Sequence, residues 1–161
     1  MISLDVDDPD PAFHQLVSDQ GMPAALLYFA SPKIFQQKGS QFNYELYMDF
    51  NEVYVNGMNR LYRLIRDNDP KHKLTLFHPS SIAIEEPVKG SAEYSAAKAA
   101  AEIMLNHIDR FDRFTAVLQV RLPRIATDQT TTLIPFPAAA AEEVLLPILR
   151  DLYRLSNTDQ G

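Results

Sequence analysis

Three short apolar runs alternate with longer segments of helical periodicity, and this order constrains the fold more than any other feature of the sequence. The runs cover residues 24–30, 74–78 and 114–121, and a proline follows each of them within two residues. Apolar runs of this length between turn residues are typical of strands, and the first two are predicted to be buried. Alternating strands and helices predict an α/β fold with a parallel sheet and right-handed crossovers.

The remaining segments divide into helices and loops. Apolar residues recur with the spacing of an amphipathic helix between the first two runs, and an alanine-rich segment follows the second run. Longer helices are predicted over residues 42–66, 92–109 and 138–155. The last of these is expected to be interrupted at Pro147. A short helix is expected after Pro11 with an end at Gly21, and Ser91 is expected to cap the alanine-rich helix.

The absence of cysteine and the acidic balance exclude several kinds of function. Without cysteine the chain forms no disulfide, thiolate nucleophile or cysteine-based metal site. The formal net charge of −6 disfavours nucleic acid or an anionic membrane as a partner. The four histidines are scattered through the sequence without metal-ligand spacing, so no metal site is predicted.

The length and the N-terminal segment bear on domain organisation and location. The 161 residues correspond to one domain, and we predict a single domain over residues 1–161. No apolar stretch approaches the roughly 20 residues that a membrane-spanning helix needs. The first segment, residues 1–11, is acidic and lacks the basic start of a signal peptide, so a cytoplasmic protein is predicted.

The spacing of the glycines bears on nucleotide binding. The closest of them, Gly21, Gly39 and Gly57, are 18 residues apart. A loop that holds a phosphate group needs clustered glycines, so that several backbone N–H groups can approach the anion. The sequence therefore contains no recognisable loop for a nucleotide phosphate.

Ser81, Tyr94 and Lys98 form the pattern with the most chemical content. Tyr94 and Lys98 are four residues apart on a predicted helix, which places them on one face. A neighbouring cation favours the phenolate and lowers the pKa of a phenol towards values useful in acid–base chemistry. Ser81 follows the second predicted strand, at the sheet edge where open α/β folds place ligands. Tyrosine and lysine at this spacing are also common as a solvated pair on a helix surface.

These residues and their flanks resemble the active-site half of the classical short-chain dehydrogenase/reductase family. The central match joins Pro79-Ser-Ser-Ile-Ala-Ile to Glu93-Tyr-Ser-Ala-Ala-Lys-Ala-Ala-Ala-Glu102. Upstream, Tyr44-Glu-Leu-Tyr-Met-Asp-Phe-Asn51 is similar to the start of the helix that carries the active-site asparagine of the family. Ala30-Ser31-Pro32 stands where the family usually has Asn-Asn-Ala-Gly.

The resemblance implies a role for each matched side chain. Tyr94 would donate a proton to a carbonyl oxygen, and Ser81 would hydrogen-bond the same oxygen. Lys98 would lower the pKa of Tyr94 and bind the nicotinamide ribose. Asn51 would support a water relay behind Lys98, with Asn56 as a competitor for that role. The implied cofactor is NADP or NAD, and the implied substrate is a small carbonyl compound.

Further residues are implied to bind the cofactor. Leu4-Asp-Val-Asp-Asp-Pro9 is similar to the segment that lines the adenine pocket, and Arg121-Leu-Pro-Arg-Ile-Ala-Thr-Asp128 resembles the segment that holds the nicotinamide amide and pyrophosphate. The implied cofactor-binding residues are Asp5, Val6, Ala30, Ser31, Lys98, Pro123, Ile125 and Thr127.

The sequence departs from the family pattern at three places. Phe29 and Pro32 replace an asparagine and a glycine, and Arg124 stands where the family has a glycine beside Pro123. The first two strand–helix units of the family, with their glycine-rich turn, have no counterpart. The first of the missing strands would lie beside the strand at 24–30. We therefore expect a partial, Rossmann-like doubly wound sheet that is incomplete until a larger protein or a partner chain supplies additional strands.

Two functions remain open at this point. One is the segment of an NAD(P)-dependent carbonyl reductase or alcohol dehydrogenase, which transfers a hydride between nicotinamide and a ketone or alcohol. The other is a non-catalytic, reductase-like module that serves as a scaffold or dimerisation unit. The helices at 51–66 and 92–109 resemble the pair that forms a dimer interface in the family, so a homo-oligomer is also expected.

Overall fold

The computed structural model describes residues 10–32, 41–86, 88–123 and 140–158. Its three parallel strands lie in the order β1-β2-β3 and comprise Ala25–Leu27 (β1), Leu74–Ser81 (β2) and Thr115–Leu122 (β3). β2 is central, because Leu76 pairs with Leu26 on one side and with Val117 on the other. The prediction of an α/β fold with a parallel sheet is confirmed.

Helices precede, connect and follow these strands in the described part of the chain. The α-helices are Asp10–Gln20 (α1), Tyr44–Asn51 (α2), Met58–Asn68 (α3), Ala92–Phe111 (α4) and Ala141–Thr158 (α5). A π-helical segment, Glu52–Gly57, joins α2 to α3, and a short 3-10 helix, Ile82–Ile84, follows β2. The long helix predicted between the first two strands is thus present, with a change of helical type in its middle.

One face of the sheet is covered by α3 and α4. Leu76 of β2 packs with Met58 of α3 and Leu105 of α4 in a buried apolar cluster. Leu74 lies on the same face, since alternate residues of a strand share a face, and it packs with Phe13 of α1. The row of β2 residues that faces α4 therefore leads from this core towards the carboxyl end of the sheet.

The opposite face of β2 is covered as well. Thr75 and Phe77 alternate with Leu76 and are both buried. α5 packs against β2, and its Leu152 is 4% exposed. Helices thus lie on both faces of the sheet, as in a partial doubly wound fold.

β1 is shorter and more exposed than the sequence predicted. It spans three residues, and all of them are half-buried rather than buried on both faces. Within the described ranges β1 pairs with β2 alone, so one of its edges has no neighbouring strand to shield it.

β2 continues through Pro79, where the sequence predicted its end. The backbone N–H of Thr75 donates to the carbonyl of Ala24, in the direction of β1. The N–H groups two and four residues later face the same way. Since β1 ends opposite Phe77, the missing N–H of Pro79 falls where β1 has no residue to receive it. β2 can therefore extend to Ser81.

Two predictions about helices are wrong. α5 passes through Pro147 without interruption. Pro147 and Glu143 are both exposed, so water can solvate the Glu143 carbonyl that would otherwise accept the missing N–H. Ser91 precedes α4 but does not cap it, because its hydroxyl donates instead to the carbonyl of Val88 at 2.8 Å.

Candidate active site

Ser81 and Tyr94 meet at the carboxyl end of β2. Ser81 is the last residue of the strand, and its Oγ accepts a hydrogen bond from the N–H of Ala83 at 3.2 Å. Tyr94 lies in the first turn of α4, and its phenol is near enough to the Ser81 hydroxyl for that hydroxyl to act on its pKa. Two hydroxyl groups at this edge of a parallel sheet can together contact one carbonyl oxygen.

Aromatic rings hold Tyr94 in place. The rings of Phe50 and Tyr54 each meet it edge to face, with centroid distances of 5.8 and 5.7 Å. Tyr94 is 9% exposed. Burial raises the pKa of Tyr94, and the neighbouring Ser81 hydroxyl acts in the opposite direction. The phenol is therefore protonated at neutral pH.

Glu93 fixes the start of α4 against the start of α2. Its side chain is fully buried, and Oε1 accepts the backbone N–H of Asn43 at 2.5 Å. Asn43 also caps α2, because its Oδ1 accepts the N–H of Leu46 at 3.2 Å. These contacts hold Tyr94, the next residue of α4, against the aromatic residues of the preceding helical segment.

Lys98 lies one helical turn after Tyr94, and its ammonium is buried on the side of the sheet. Nζ donates to the carbonyl of Pro79 at 2.7 Å and lies 4.0 Å from the centroid of the Tyr54 ring. Lys98 is 5% exposed. Burial lowers the pKa of Lys98 to about 7, while the charge of Glu102 acts to raise it.

The expected lowering of the Tyr94 pKa by Lys98 is wrong for this arrangement. The ammonium is turned towards Pro79 and Tyr54, and burial dominates the phenol. The two residues share a helix face, but the contacts of the lysine ammonium are with the Pro79 carbonyl and the Tyr54 ring.

Tyr54 is a site residue that the sequence analysis missed. It is fully buried, its ring contacts both Tyr94 and Lys98, and its hydroxyl shares a hydrogen bond with Ser31 Oγ at 2.7 Å. Burial raises the pKa of Tyr54. Its spacing of four residues after Phe50 was the available signal, since that spacing places two aromatic rings on one helix face.

The π-helical segment sets the position of Tyr54. Tyr28 Oη donates to the carbonyl of Val53 at 2.5 Å, within the turn where the helix widens. A β-carbon on Gly57 would lie 2.5 Å from the same hydroxyl, so glycine is needed for this approach. Single π-helical turns within helices are frequent at functional sites.

Asn51 and Asn56 make local hydrogen bonds. The amide of Asn51 donates to the carbonyl of Tyr47 in its own helix at 3.2 Å. Asn56 is exposed and donates to Glu52 Oε2 at 2.5 Å. The role proposed for Asn51 behind Lys98 therefore stays a prediction, without a direct bond between the two side chains.

The residues expected to bind a cofactor are only partly within the described ranges. Ser31 lies in the turn after β1 with its hydroxyl at Tyr54, and Ala30 packs against the core. Pro123 follows β3 and is exposed. The others, Asp5, Val6, Ile125 and Thr127, lie outside the described residues, as does Arg124.

A second group of polar side chains lies on the other side of Lys98, between β2 and α4. Ser80 Oγ donates to Glu102 Oε1 at 2.5 Å, and Arg121 of β3 holds the same carboxylate through two of its nitrogens. His78 is fully buried in the same row of β2. Sequence analysis missed this group because its members are far apart in the chain and only the pairing of strand and helix brings them together.

Within the part of the chain that the structure describes, no cluster of acidic or histidine side chains could hold a metal ion. None of the described helices has the length and apolar character to cross a membrane.

Solved structures of short-chain dehydrogenases and an alcohol dehydrogenase share this fold. An alcohol dehydrogenase from Thermococcus sibiricus, complexed with 5-hydroxy-NADP, matches with a TM-score of 0.77 and 15% identity over 96% of this chain and 68% of its own. A short-chain dehydrogenase from Burkholderia cenocepacia in complex with NADP has a TM-score of 0.69 and 19% identity, and the match covers 94% of this chain and 64% of that protein. A short-chain dehydrogenase from Streptomyces avermitilis has a TM-score of 0.63 and 23% identity, and the match covers 95% of this chain and 59% of that protein.

These matches establish the fold of the chain. It spans about two thirds or less of the length of these dehydrogenases. No family model and no curated protein matches the sequence. The chain thus has the Rossmann-like fold of short-chain dehydrogenases/reductases over part of their length.

Proposed function

We propose that the chain is the catalytic segment of an NAD(P)-dependent oxidoreductase that interconverts a small carbonyl compound and its alcohol. The observation that carries this proposal is the nearness of the Ser81 and Tyr94 hydroxyl groups at the carboxyl end of β2. Lys98 follows one helical turn later, in a fold shared with NADP-bound dehydrogenases. A carbonyl reductase or alcohol dehydrogenase is the finer form of the same proposal.

Tyr94 is the proton donor to the substrate oxygen. Its raised pKa keeps the phenol protonated, which suits a donor in the direction of carbonyl reduction. Ser81 donates a second hydrogen bond to the same oxygen and stabilises the charge that develops there. The aromatic rings around Tyr94 exclude water and so strengthen both interactions.

Lys98 and Ser31 are the described residues with groups suited to a nicotinamide nucleotide. The Lys98 ammonium has three N–H donors and makes one hydrogen bond within the described ranges, so donors remain for ribose hydroxyl groups. Ser31 offers a hydroxyl in the turn after β1. The cofactor, NADP or NAD, supplies the hydride when bound.

The proposal also includes further strands beside β1 and a second copy of the chain. Because β1 has an unpaired edge in the described part of the chain, that edge can accept a strand from elsewhere in a larger protein or from a partner. Ile103 and Phe111 on α4 are large apolar residues, 70% and 67% exposed, and would be covered in a homo-oligomer. A single domain and a cytoplasmic location are also part of the proposal.

A non-catalytic scaffold is the second candidate, and one observation favours it. The Tyr54 ring covers the Lys98 ammonium, and Tyr54 is itself held by Ser31. In a scaffold these contacts are permanent packing. In an enzyme the ammonium must bind a nucleotide with the N–H donors that the Pro79 carbonyl does not use.

The two candidates are separated by turnover of NADH or NADPH with ketones and aldehydes, measured in the protein that contains this chain. Tyr94→Phe removes one hydroxyl, so folding should persist while turnover falls by about 10²- to 10⁴-fold. Tyr44→Phe is the matched control, because Tyr44 is 67% exposed on α2. Absence of turnover before any substitution would favour the scaffold.

A further inference from the structure

Tyr54 contacts three of the side chains on which the proposed function depends. The Lys98 Nζ lies 4.0 Å from the centroid of its ring, and the ring of Tyr94 meets it edge to face at 5.7 Å. Its hydroxyl shares a hydrogen bond of 2.7 Å with Ser31 Oγ. One side chain of the π-helical segment therefore joins the turn after β1 to the two site residues of α4.

The Tyr54 ring is itself held in place from several sides. It is fully buried, and it stacks on the ring of Phe50 with a centroid distance of 6.0 Å and an angle of 6° between the ring planes. The preceding backbone is fixed by the hydrogen bond from Tyr28 Oη to the carbonyl of Val53. A ring packed in this way has little room to turn aside, so it is a fixed partner for the ammonium rather than a movable lid.

The buried ammonium of Lys98 needs such a partner. Lys98 is 5% exposed, and in the described part of the chain its hydrogen bond is the one to the Pro79 carbonyl at 2.7 Å. Burial favours the neutral amine and lowers the pKa of Lys98 to about 7. The face of an aromatic ring attracts a cation, so the contact with Tyr54 favours the charged form.

The other titratable groups that face Lys98 keep one charge state near neutral pH. Glu102 is ionised, because hydrogen bonds from the arginine of β3 hold its pKa below the usual value. His78 of β2 is neutral, because burial lowers its pKa to about 3. Burial raises the pKa of both Tyr54 and Tyr94, so these phenols are neutral too. Among the described residues of this cluster, Lys98 is therefore the group whose charge changes near pH 7.

We propose that Tyr54 is a positioning residue for Lys98, whose ring keeps the lysine in the charged ammonium form beside the Pro79 carbonyl. An ammonium has three N–H donors, and one of them is used by Pro79. Two donors then remain for the ribose hydroxyls of a nucleotide, and loss of the proton would remove one of them. This use rests on the proposed function, whereas the effect of the ring on the charge can be measured without turnover.

Fluorination of the ring at position 54 separates this role from packing. Fluorine atoms withdraw electron density from the face of a ring and change its size little, so they weaken its attraction for a cation. The starting variant of the purified chain is Tyr54→Phe, and phenylalanines with one and with three fluorines are then placed at the same position. NMR titration with isotope-labelled lysine measures the pKa of Lys98 in each protein, and Lys98→Met identifies its signal.

We expect the acid dissociation constant of the Lys98 ammonium to increase with the number of fluorines, by about threefold or more between none and three. The same series at Phe77 is the control, because Phe77 is fully buried on the opposite face of β2, and it should show no trend. A flat series at position 54 would mean that the ring only fills space, and would overturn the proposal. If the variant with three fluorines does not fold, the variant with one fluorine gives the same test with a smaller change.

The KM for NADH or NADPH, measured in the protein that contains this chain, tests the use of the charge. This KM should rise with pH as Lys98 loses its proton, and along the position 54 series the rise should begin at progressively lower pH. A KM profile that stays fixed while the Lys98 pKa shifts would overturn the role in nucleotide binding.

The two measurements also separate this inference from the proposed function. A fluorine-dependent Lys98 pKa in a protein without NAD(P)H turnover would leave the effect of the ring standing and reject the proposed function. Turnover together with a flat series would reject the role of Tyr54 and leave the proposed function standing.

Discussion

The ring of Tyr54 lies against the ammonium of Lys98, with Nζ 4.0 Å from the ring centroid. The two side chains come from the π-helical segment and from α4, and neither is exposed beyond 5%. A cation on an aromatic face is stabilised by the ring electrons, more strongly where water is excluded. This contact, together with the Pro79 carbonyl, sets where the lysine charge is held in the candidate site.

Stability should rise with pH as a consequence of the Lys98 burial. The pKa of Lys98 is lowered from 10.5 to about 7 by burial, so between these values the unfolded chain binds more protons than the folded one. The free energy of unfolding therefore increases across this window, by up to about 1.4 kcal/mol per pH unit. Below pH 7 the full cost of the buried ammonium is present.

Lys98→Met should flatten this dependence. Methionine keeps an unbranched apolar stem and carries no charge, so the variant should be more stable than the parent near neutral pH and lose the advantage towards pH 10. Denaturant unfolding of both proteins across this range measures the difference. Lys71→Met is the control, because Lys71 is exposed, and a parallel response in it would contradict the assignment to Lys98.

Gly57 and Tyr28 should be energetically coupled. Gly57→Ala would place a methyl group 2.5 Å from Tyr28 Oη, and Tyr28 is 3% exposed, so its ring has little room to move. Overpacking of this kind costs about 1–3 kcal/mol. Tyr28→Phe removes the clashing oxygen at the cost of the hydrogen bond to Val53.

A double-mutant cycle measures this coupling. The combined variant, Gly57→Ala with Tyr28→Phe, should lose less stability than the sum of the two single variants, since the alanine methyl then loses its one contact shorter than 3.4 Å. If the stability losses of the two single variants were additive, the Tyr28 hydroxyl would not be what prevents a larger residue at position 57.

Much of the candidate site follows from local sequence signals. The apolar run before Pro79 identifies β2, and its end places Ser81 at the ligand-binding edge. Helical periodicity identifies α4 and puts Tyr94 and Lys98 on one face. These features depend on neighbours along the chain, which is why the strand and the helix could be anticipated, whereas the pairing of Ser81 with Tyr94 was implied only by the resemblance.

The rest depends on contacts between distant segments. Tyr28 and Val53 are 25 residues apart, and their hydrogen bond lies where the helix widens and positions Tyr54. The Lys98 ammonium is then held by Tyr54 and by the Pro79 carbonyl, neither of which belongs to its own helix. Periodicity describes a helix as regular, so it contains no signal for such a change, and the Lys98 orientation could not be predicted.

Asp112 should make stability sensitive to acid. Burial acts to raise the pKa of this carboxyl, but hydrogen bonds from Thr115, the backbone of Phe114 and Tyr62, with the charge of Arg66, hold it below its usual value of 3.8. A lowered pKa in the folded state stabilises the fold above pH 3.8, and this contribution is lost as the pH falls further towards the folded-state pKa.

The Asp112→Asn variant should therefore be less stable than the parent protein at neutral pH. Its free energy of unfolding should also fall less than that of the parent as the pH is lowered. The loss should be about 1–3 kcal/mol, because Arg66 and its partners are left half-buried with a poorer acceptor. Thermal unfolding at neutral and acidic pH measures both effects. Asp67→Asn removes an exposed partner of Arg63 at 3.9 Å and should change stability by less than about 1 kcal/mol.

Nucleotide binding by the 161-residue chain alone should be weak. Its sequence has no clustered glycines to hold a pyrophosphate, and Tyr54 covers the Lys98 ammonium that would meet the ribose. We expect a Kd for NADH or NADPH of about 1 mM or weaker, measured by nucleotide fluorescence. Once further strands are supplied, binding should tighten, and Lys98→Ala should then weaken it because ribose hydroxyls lose their donor, whereas Lys71→Ala should not. Micromolar binding by the chain alone would show that a phosphate can be held without those strands, and the expectation of an incomplete cofactor site would be wrong.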